Sequence, residues 1–321
     1  MPGRFRWSPV VRLLLGLALV ALLARSVGWA DLRAAAAPLR AHPGWIAAAL
    51  ALTFAALLAG VVRWHGLLRA MGLPTPFART FRGFFIGQFF NAFLFGACGG
   101  DLARAVCAAH DHSHKRAEAV ASVLLDRMVG LVATLFVGCA LLLPRLEFFA
   151  GHPEAQPALL CMGAFLCGAV AFLALFFARH LFERNAWLQR LQHRGRIGPL
   201  LRRAYDALYL FRQNARHLLV PTLLSLANLF LLAAATFALA RALALPLAWR
   251  DLFAVYPVIV VLAAVPLTPG SFGVRETLYV QLLHPFGLAA GPALMLSLLG
   301  YLVATAWSLF GGLLFLVRPR A

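Results

Sequence analysis

Apolar residues recur in long runs through nearly the whole chain, and this limits the fold more than any other feature. The runs occupy 11–30, 45–62, 119–143, 158–178, 218–240 and 292–317. A helix of roughly 20 residues crosses a hydrocarbon core, so each run is a candidate span. Lipid offers the backbone no hydrogen-bond partner, and a continuous apolar run meets that demand only as a helix. Composition agrees: 62% of residues are hydrophobic and 12% charged, against about 25% charged in an ordinary globular domain. The sequence predicts an all-α polytopic membrane protein forming a single domain over 1–321, with about six transmembrane helices.

The net charge of +18 comes almost wholly from arginine, since Lys115 is the one lysine. On a soluble chain this balance would point to nucleic acid. On a membrane chain it marks basic loops against anionic lipid, and no nucleic-acid partner is expected. Arg4, Arg6 and Arg12 place the N-terminus inside, and Arg63, Arg69, Arg79 and Arg82 mark an inside loop. The stretch 179–217 holds nine arginines against Glu183 and Asp206, and Arg318 and Arg320 follow the last run. These markers predict a multi-pass protein of the inner (cytoplasmic) membrane with both termini cytoplasmic. In the basic loop, Leu200, Leu201, Ala204, Leu208 and Phe211 recur at helical spacing and predict an amphipathic helix in the headgroup layer.

Two further apolar segments are broken. The first runs from Phe84 to Cys98 and stops at Gly99 and Gly100; the second runs from Leu252 to Thr268 and is interrupted by Pro257, Pro266, Pro269 and Gly270. Each break is followed by an acid and an arginine opening a new helix: Asp101 and Arg104 in the first, Arg275 and Glu276 after Gly273 in the second. Counting either segment as one extra span puts the basic loop on the wrong side. Re-entrant hairpins restore the parity. Eight full spans also return the C-terminus inside but misplace 179–217. The expected architecture is six spans plus two broken hairpins entering from opposite sides, as in an inverted-topology repeat. The repeat halves are about 45–178 and 218–317, joined by the basic loop 179–217.

Other motifs carry less. The five cysteines lie among apolar neighbours without a C-x-x-C pair, so neither a disulfide framework nor a zinc site is expected. His110, His112 and His114 lie in a charged tract and read as solvated, and no metal or cofactor is expected. Asn228 lies mid-span and predicts an interhelical hydrogen bond. Trp307 lies within the last run and predicts packing.

The motifs Gly99-Gly100-Asp101 with Arg104, Ala121-Ser122-Val123-Leu124-Leu125-Asp126-Arg127 with Gly130, and Pro266-Leu267-Thr268-Pro269-Gly270-Ser271-Phe272-Gly273-Val274-Arg275-Glu276 resemble the transmembrane region of the lysylphosphatidylglycerol synthases, also called flippase-like domain proteins. The last motif is the most specific, and the resemblance covers about 10–318. Leu94-Phe95-Gly96 stands where that family often has proline. The resemblance implies translocation or handling of an anionic lipid or a lipid-linked envelope precursor. Family members that aminoacylate lipid carry a soluble acyltransferase-like domain after the membrane region. This chain ends at Ala321, so it is expected not to be an enzyme itself, and a separate lipid-modifying enzyme is a candidate partner. The alternative reading is a membrane-embedded or accessory component of a lipid- or glycan-modifying system. No D-x-D, H-E-x-x-H or nucleophile-elbow motif supports catalysis.

Charges at membrane depth cost about 2.5 kcal/mol or more, so they face a cavity or a partner. Arg104, Arg127 and Arg275 are the candidate headgroup-binding residues, because guanidinium matches phosphate oxygens with a two-pronged fork. Asp101, Asp126 and Glu276 are the candidate counter-ions, each pairing with its neighbouring arginine when the site is empty. No catalytic residue is assigned.

Overall fold

The computed structural model describes residues 29–93, 99–177, 216–265, 268 and 271–317, and every regular element among them is helical. In chain order the α-helices are α1 (Trp29–Ala36), α2 (Pro43–Ala70), α3 (Phe77–Phe93), α4 (Gly99–Asp111), α5 (Arg116–Leu142), α6 (Leu146–Ala150), α7 (Gln156–Phe177), α8 (Arg216–Ala242), α9 (Trp249–Ala263), α10 (Val274–Leu283) and α11 (Ala290–Leu316). Among the described residues, four helical stretches are long and apolar enough to cross a membrane: α2, α5 continued to Ala150, α8 from Leu218, and α11. Together they make the chain an all-α membrane protein. They match four of the six predicted spans. α7, 22 residues long, covers the predicted span 158–178 up to Phe177. The predicted span 11–30 lies outside the described residues apart from its last two, and the predicted helix over 200–211 lies outside them entirely.

The boundary of the second predicted span needs correction. α2 runs on to Ala70, so Arg63 and Arg69 are helical rather than loop residues. Its end is set by Gly72, whose φ of +68 allows a left-handed turn. The N–H of Leu73 then reaches back to Leu68 O, and that of Gly72 to Arg69 O. α8 ends the same way: Ala244 has φ +54, Leu245 N–H bonds Ala240 O, and Ala244 N–H bonds Arg241 O. Both are Schellman closures, which satisfy carbonyls left over at a helix end.

α2 and α8 pack along one another. Asn228 donates to Ala56 O at 2.6 Å across a separation of 172 residues, making the interhelical bond expected of it. Arg63 Nη1 donates to Ser225 Oγ at 2.9 Å. Later residues of one helix meet earlier residues of the other, so the two run antiparallel. α3 packs on α11, and α9 packs on α5. At the first of these contacts a Cβ on Gly311 would fall on the Phe85 carbonyl; at the second, a Cβ on Gly138 would lie 3.0 Å from Pro257 Cβ. Trp307 stacks on Phe54 with ring centroids 4.6 Å apart and donates to Leu50 O, so it does pack inside.

The helices next to the breaks are short. α3 has 17 residues and α4 13; α9 has 15 and α10 10. At about 1.5 Å per residue none reaches the roughly 30 Å of a hydrocarbon core. α4 returns along α3: Gly100 N–H donates to Asn91 Oδ1 at 3.0 Å, and the Arg104 stem lies against Gly87. α10 follows α9 after a turn in which Ser271 (φ +58) donates through Oγ to Ala263 O, and Thr268 Oγ1 donates to Phe272 O at 2.6 Å.

Candidate functional site: a polar cavity between the two breaks

A cavity of about 380 Å³ opens where the two broken elements approach the long helices. Both sides of the molecule contribute to it. Asn91 comes from the end of α3, Arg127 from α5, Thr236 from α8, Ser271 from the second break, Arg275 from α10 and Ser297 from α11. Thr53, Leu232 and Val303 also line it and lie within about two turns of the middles of α2, α8 and α11. The cavity therefore sits near mid-depth in the spanning helices. Polar side chains that far from water need a reason to be there.

Arg275 occupies the first turn of α10. Its Nη2 lies 2.7 Å from Glu276 Oε1, and its Nε donates to Ser297 Oγ at 3.1 Å. Glu276 is fully buried; its Oε2 accepts the N–H of Gly273 at 2.7 Å, and its Oε1 accepts Ser297 Oγ–H at 3.1 Å. The carboxylate thus caps a helix start at which Gly273 adopts φ +83. Neighbouring residues on a helix normally diverge, and this pair meets because Glu276 turns back to the cap. The Arg275 guanidinium also lies 5.2 Å from the centroid of the Tyr301 ring.

The arginine–acid sets of the first half are wired differently. Asp126 does not pair with Arg127. Its Oδ1 accepts Arg63 Nε at 2.6 Å, and its Oδ2 accepts Arg104 Nη2 at 2.8 Å. The Asp126 side chain is 1% exposed, so two cations hold one buried carboxylate. Arg127 instead bonds Asp101 Oδ2 through Nη1 at 2.8 Å, while Arg104 Nη1 stands 3.8 Å from Asp101 Oδ1. Residues i and i+1 on a helix project about 100° apart, which sends Asp126 inward and Arg127 toward the cavity.

Of the three candidate headgroup arginines, Arg127 and Arg275 line the cavity and Arg104 does not. Arg104 is buried behind Asp126, with its guanidinium 4.3 Å from the Trp64 ring centroid and 4.8 Å from that of Phe84. The flat cation stacks on these rings, which fixes it as a structural partner of Asp126. Gly99 opens α4, Gly100 is capped by Asn91, and Gly273 precedes α10; Pro266, Pro269 and Gly270 lie outside the described residues.

Arg63 is the site residue that sequence reasoning missed. Counted among loop arginines, it instead ties α2 to α5 through Asp126 and to α8 through Ser225. The available signal was the apolar pattern continuing past it through Trp64, Leu67 and Leu68, all of them buried. Among the described residues, no group of three or more His, Cys, Asp or Glu could hold a metal ion.

The family model described as "Lysylphosphatidylglycerol synthase TM region" matches residues 10–312. No curated protein matches the chain. With nearly its whole length covered by that family, and an all-α membrane fold beneath the match, the chain belongs to the lysylphosphatidylglycerol synthase transmembrane-region family.

Proposed function

We propose that this chain is a lipid translocase that handles an anionic lipid or lipid-linked envelope precursor, with the headgroup held in the cavity by Arg127 and Arg275. The observation that carries this reading is the pairing of those two arginines, one from each half, in a single polar space at mid-depth. Family membership supports a role in lipid handling. An anionic headgroup competes for Arg127 with Asp101 and for Arg275 with Glu276. The hydroxyl protons of Thr236, Ser271 and Ser297 go to Leu232 O, Ala263 O and Glu276 Oε1, so toward a headgroup these oxygens act as acceptors for its O–H or N–H groups.

In this reading α3–α4 and α9–α10 are re-entrant hairpins. The halves 45–178 and 218–317 form an inverted repeat about the α2–α8 contact, and passage of the headgroup follows rocking of one half against the other. Support comes from the matched closures of α2 and α8, their antiparallel packing, and the reciprocal contacts of α3 with α11 and α9 with α5. The chain then acts in the inner membrane with cytoplasmic termini. Chemistry on the lipid belongs to a separate enzyme.

The test is exchange of fluorescent lipids across liposomes containing the purified chain, with anionic and zwitterionic headgroups compared. Headgroup-selective exchange that falls at least about tenfold in Arg275→Ala is the expected result, the size of one lost charge-assisted bond. Equal exchange in wild type and Arg275→Ala rejects the cavity as the headgroup site.

A further inference from the structure

A second, larger space lies beside the polar cavity. It is a groove of about 690 Å³ between α5, α7 and α9. Its walls are Leu131, Val132 and Leu135 on α5, Phe165 and its neighbours on α7, and Val261 with Ala264 and Val265 at the end of α9. Among the described residues, no charged side chain lines it.

The two spaces have one lining residue in common among the described residues. Ala264 lines both of them. Upstream of it α9 is the partition: Val260 and Ala263 face the polar cavity, while Val261 faces the groove. The partition ends where α9 ends, at Ala263. A 15-residue helix stops short of the far side of the hydrocarbon core, so the compartments adjoin at membrane depth rather than at the surface. One compartment carries two arginines and hydroxyls, and the other carries hydrocarbon walls.

We infer that one hydrocarbon chain of the lipid whose headgroup enters the polar cavity is held in this groove, reaching it past Ala264 at the end of α9. The inference rests on the headgroup reading above and defines its substrate class: an amphiphile with an anionic head and a long chain, rather than a free anion or a soluble sugar phosphate. The occupant follows from continuity and chemistry. An anionic head seated against Arg127 and Arg275 leaves its chain at the only end of the α9 partition that both spaces share. An apolar groove of this size gains dispersion contact and area burial when hydrocarbon fills it.

Gly168 supplies a clean test. It lines the groove, and a Cβ built on it meets nothing within 4 Å. A larger side chain there starts from open space on the groove wall, in a helix interior that glycine does not favour. Gly168→Trp and the smaller Gly168→Leu block the groove to different depths. Leu313→Trp, on the exposed face of α11, is the control.

The full chain is reconstituted in phosphatidylcholine vesicles with a trace of phosphatidylglycerol carrying a diazirine at the end of one chain. A phosphatidylcholine with the same labelled chain runs in parallel. After irradiation, the sites of labelling are mapped by mass spectrometry, and lipid exchange is measured on the same samples. The expected result is preferential labelling of 161–169 and 261–265 by the anionic probe. Gly168→Trp lowers that labelling and anionic-lipid exchange about tenfold, since loss of roughly two buried methylene groups is enough for that. Gly168→Leu has a smaller effect in the same direction, and Leu313→Trp has none. Equal labelling of the groove and the α11 face by both probes overturns the inference, because the groove then holds only bulk bilayer lipid. Exchange that survives both Gly168 variants but falls in Arg275→Ala also overturns it and leaves the headgroup reading standing. Selective groove labelling with no exchange in wild type supports the groove and defeats the translocase reading instead.

Discussion

The two helix breaks begin alike and are finished differently. At the second break the charges are satisfied locally: Arg275 and Glu276 are adjacent, Glu276 caps Gly273 three residues back, and Ser297 of α11 completes the set. At the first break the charges are satisfied at long range. Asp126 reaches 63 residues back to Arg63 and 22 back to Arg104, and Arg127 reaches 26 back to Asp101. The first network ties α2, α4, α5 and α8 together, whereas the second fixes the start of α10 and ties it to α11 alone. The same residue types near mid-membrane therefore do two jobs. In the first half they hold helices, with Arg127 alone turned to the cavity; in the second they shape a helix start and present Arg275 to the same space.

The largest expected effect attacks the long-range network. Asp126→Asn leaves Arg63 and Arg104 facing each other in an apolar setting, with Asp101, 3.8 Å from Arg104, as their remaining counter-charge. Removing one member of a buried pair costs about 3–5 kcal/mol. The variant should show a large drop in thermal midpoint and folded yield in detergent. Glu276→Gln keeps an acceptor for the Gly273 cap and leaves an arginine that opens on a polar cavity, so its loss should be smaller, about 1–3 kcal/mol. Equal losses in the two variants would erase the contrast between the breaks.

The next effect compares the two crossed packing contacts. A methyl at Gly311 runs into the Phe85 backbone carbonyl, which cannot swing away. A methyl at Gly138 meets Met162 Cε at 2.7 Å, the end of a flexible side chain, and Pro257 Cβ at 3.0 Å. Overpacking costs about 1–3 kcal/mol, and Gly311→Ala should sit at the upper end with Gly138→Ala below it. Thermal midpoints of the two variants in the same detergent rank them, and the reverse order would contradict the packing described for α3 on α11.

A smaller effect concerns the matched closures of α2 and α8. Gly72 takes its positive φ freely, but Ala244 adopts φ +54 against its own Cβ. Ala244→Gly should raise stability by up to about 1 kcal/mol, and Gly72→Ala should lower it by a similar amount. Denaturant unfolding of both variants sharpens the comparison, and a destabilised Ala244→Gly would show that the two closures are not equivalent.

The smallest effect lies outside the spanning helices. Glu154, between α6 and α7, has its carboxyl held below the ordinary 4.5, first by its own backbone N–H and then by the His284 side chain at 2.9 Å. A lowered folded value means the contribution is complete above about 4.5 and fades as pH falls through the lower folded value. Glu154→Gln should differ slightly from wild type in thermal midpoint at about pH 7, and the difference should shrink as pH falls below about 4.5. A difference that grows on acidification contradicts the assignment.

The sequence by itself determined the class of molecule, the family and the sites of the breaks. Long apolar runs leave a chain in lipid no choice but helix, and glycine or proline next to an acid and an arginine punctuates them wherever it falls. The apolar segments starting at Phe84 and Leu252 and the helix start at Val274 were legible for that reason, whereas the helical placing of Arg79 and Arg82 in α3 was not. Only the tertiary structure decided which charge answers which. Adjacency in sequence suggested Asp126 with Arg127, but helical geometry turns them apart, and the partners of Asp126 come from α2 and α4. The same geometry withdrew Arg104 from the cavity, brought Arg63 into the network and put Arg127 and Arg275 on the lining of one cavity. An ion pair is chosen by distance in space, and in a bundle of antiparallel helices that distance is fixed by packing between residues the sequence keeps far apart.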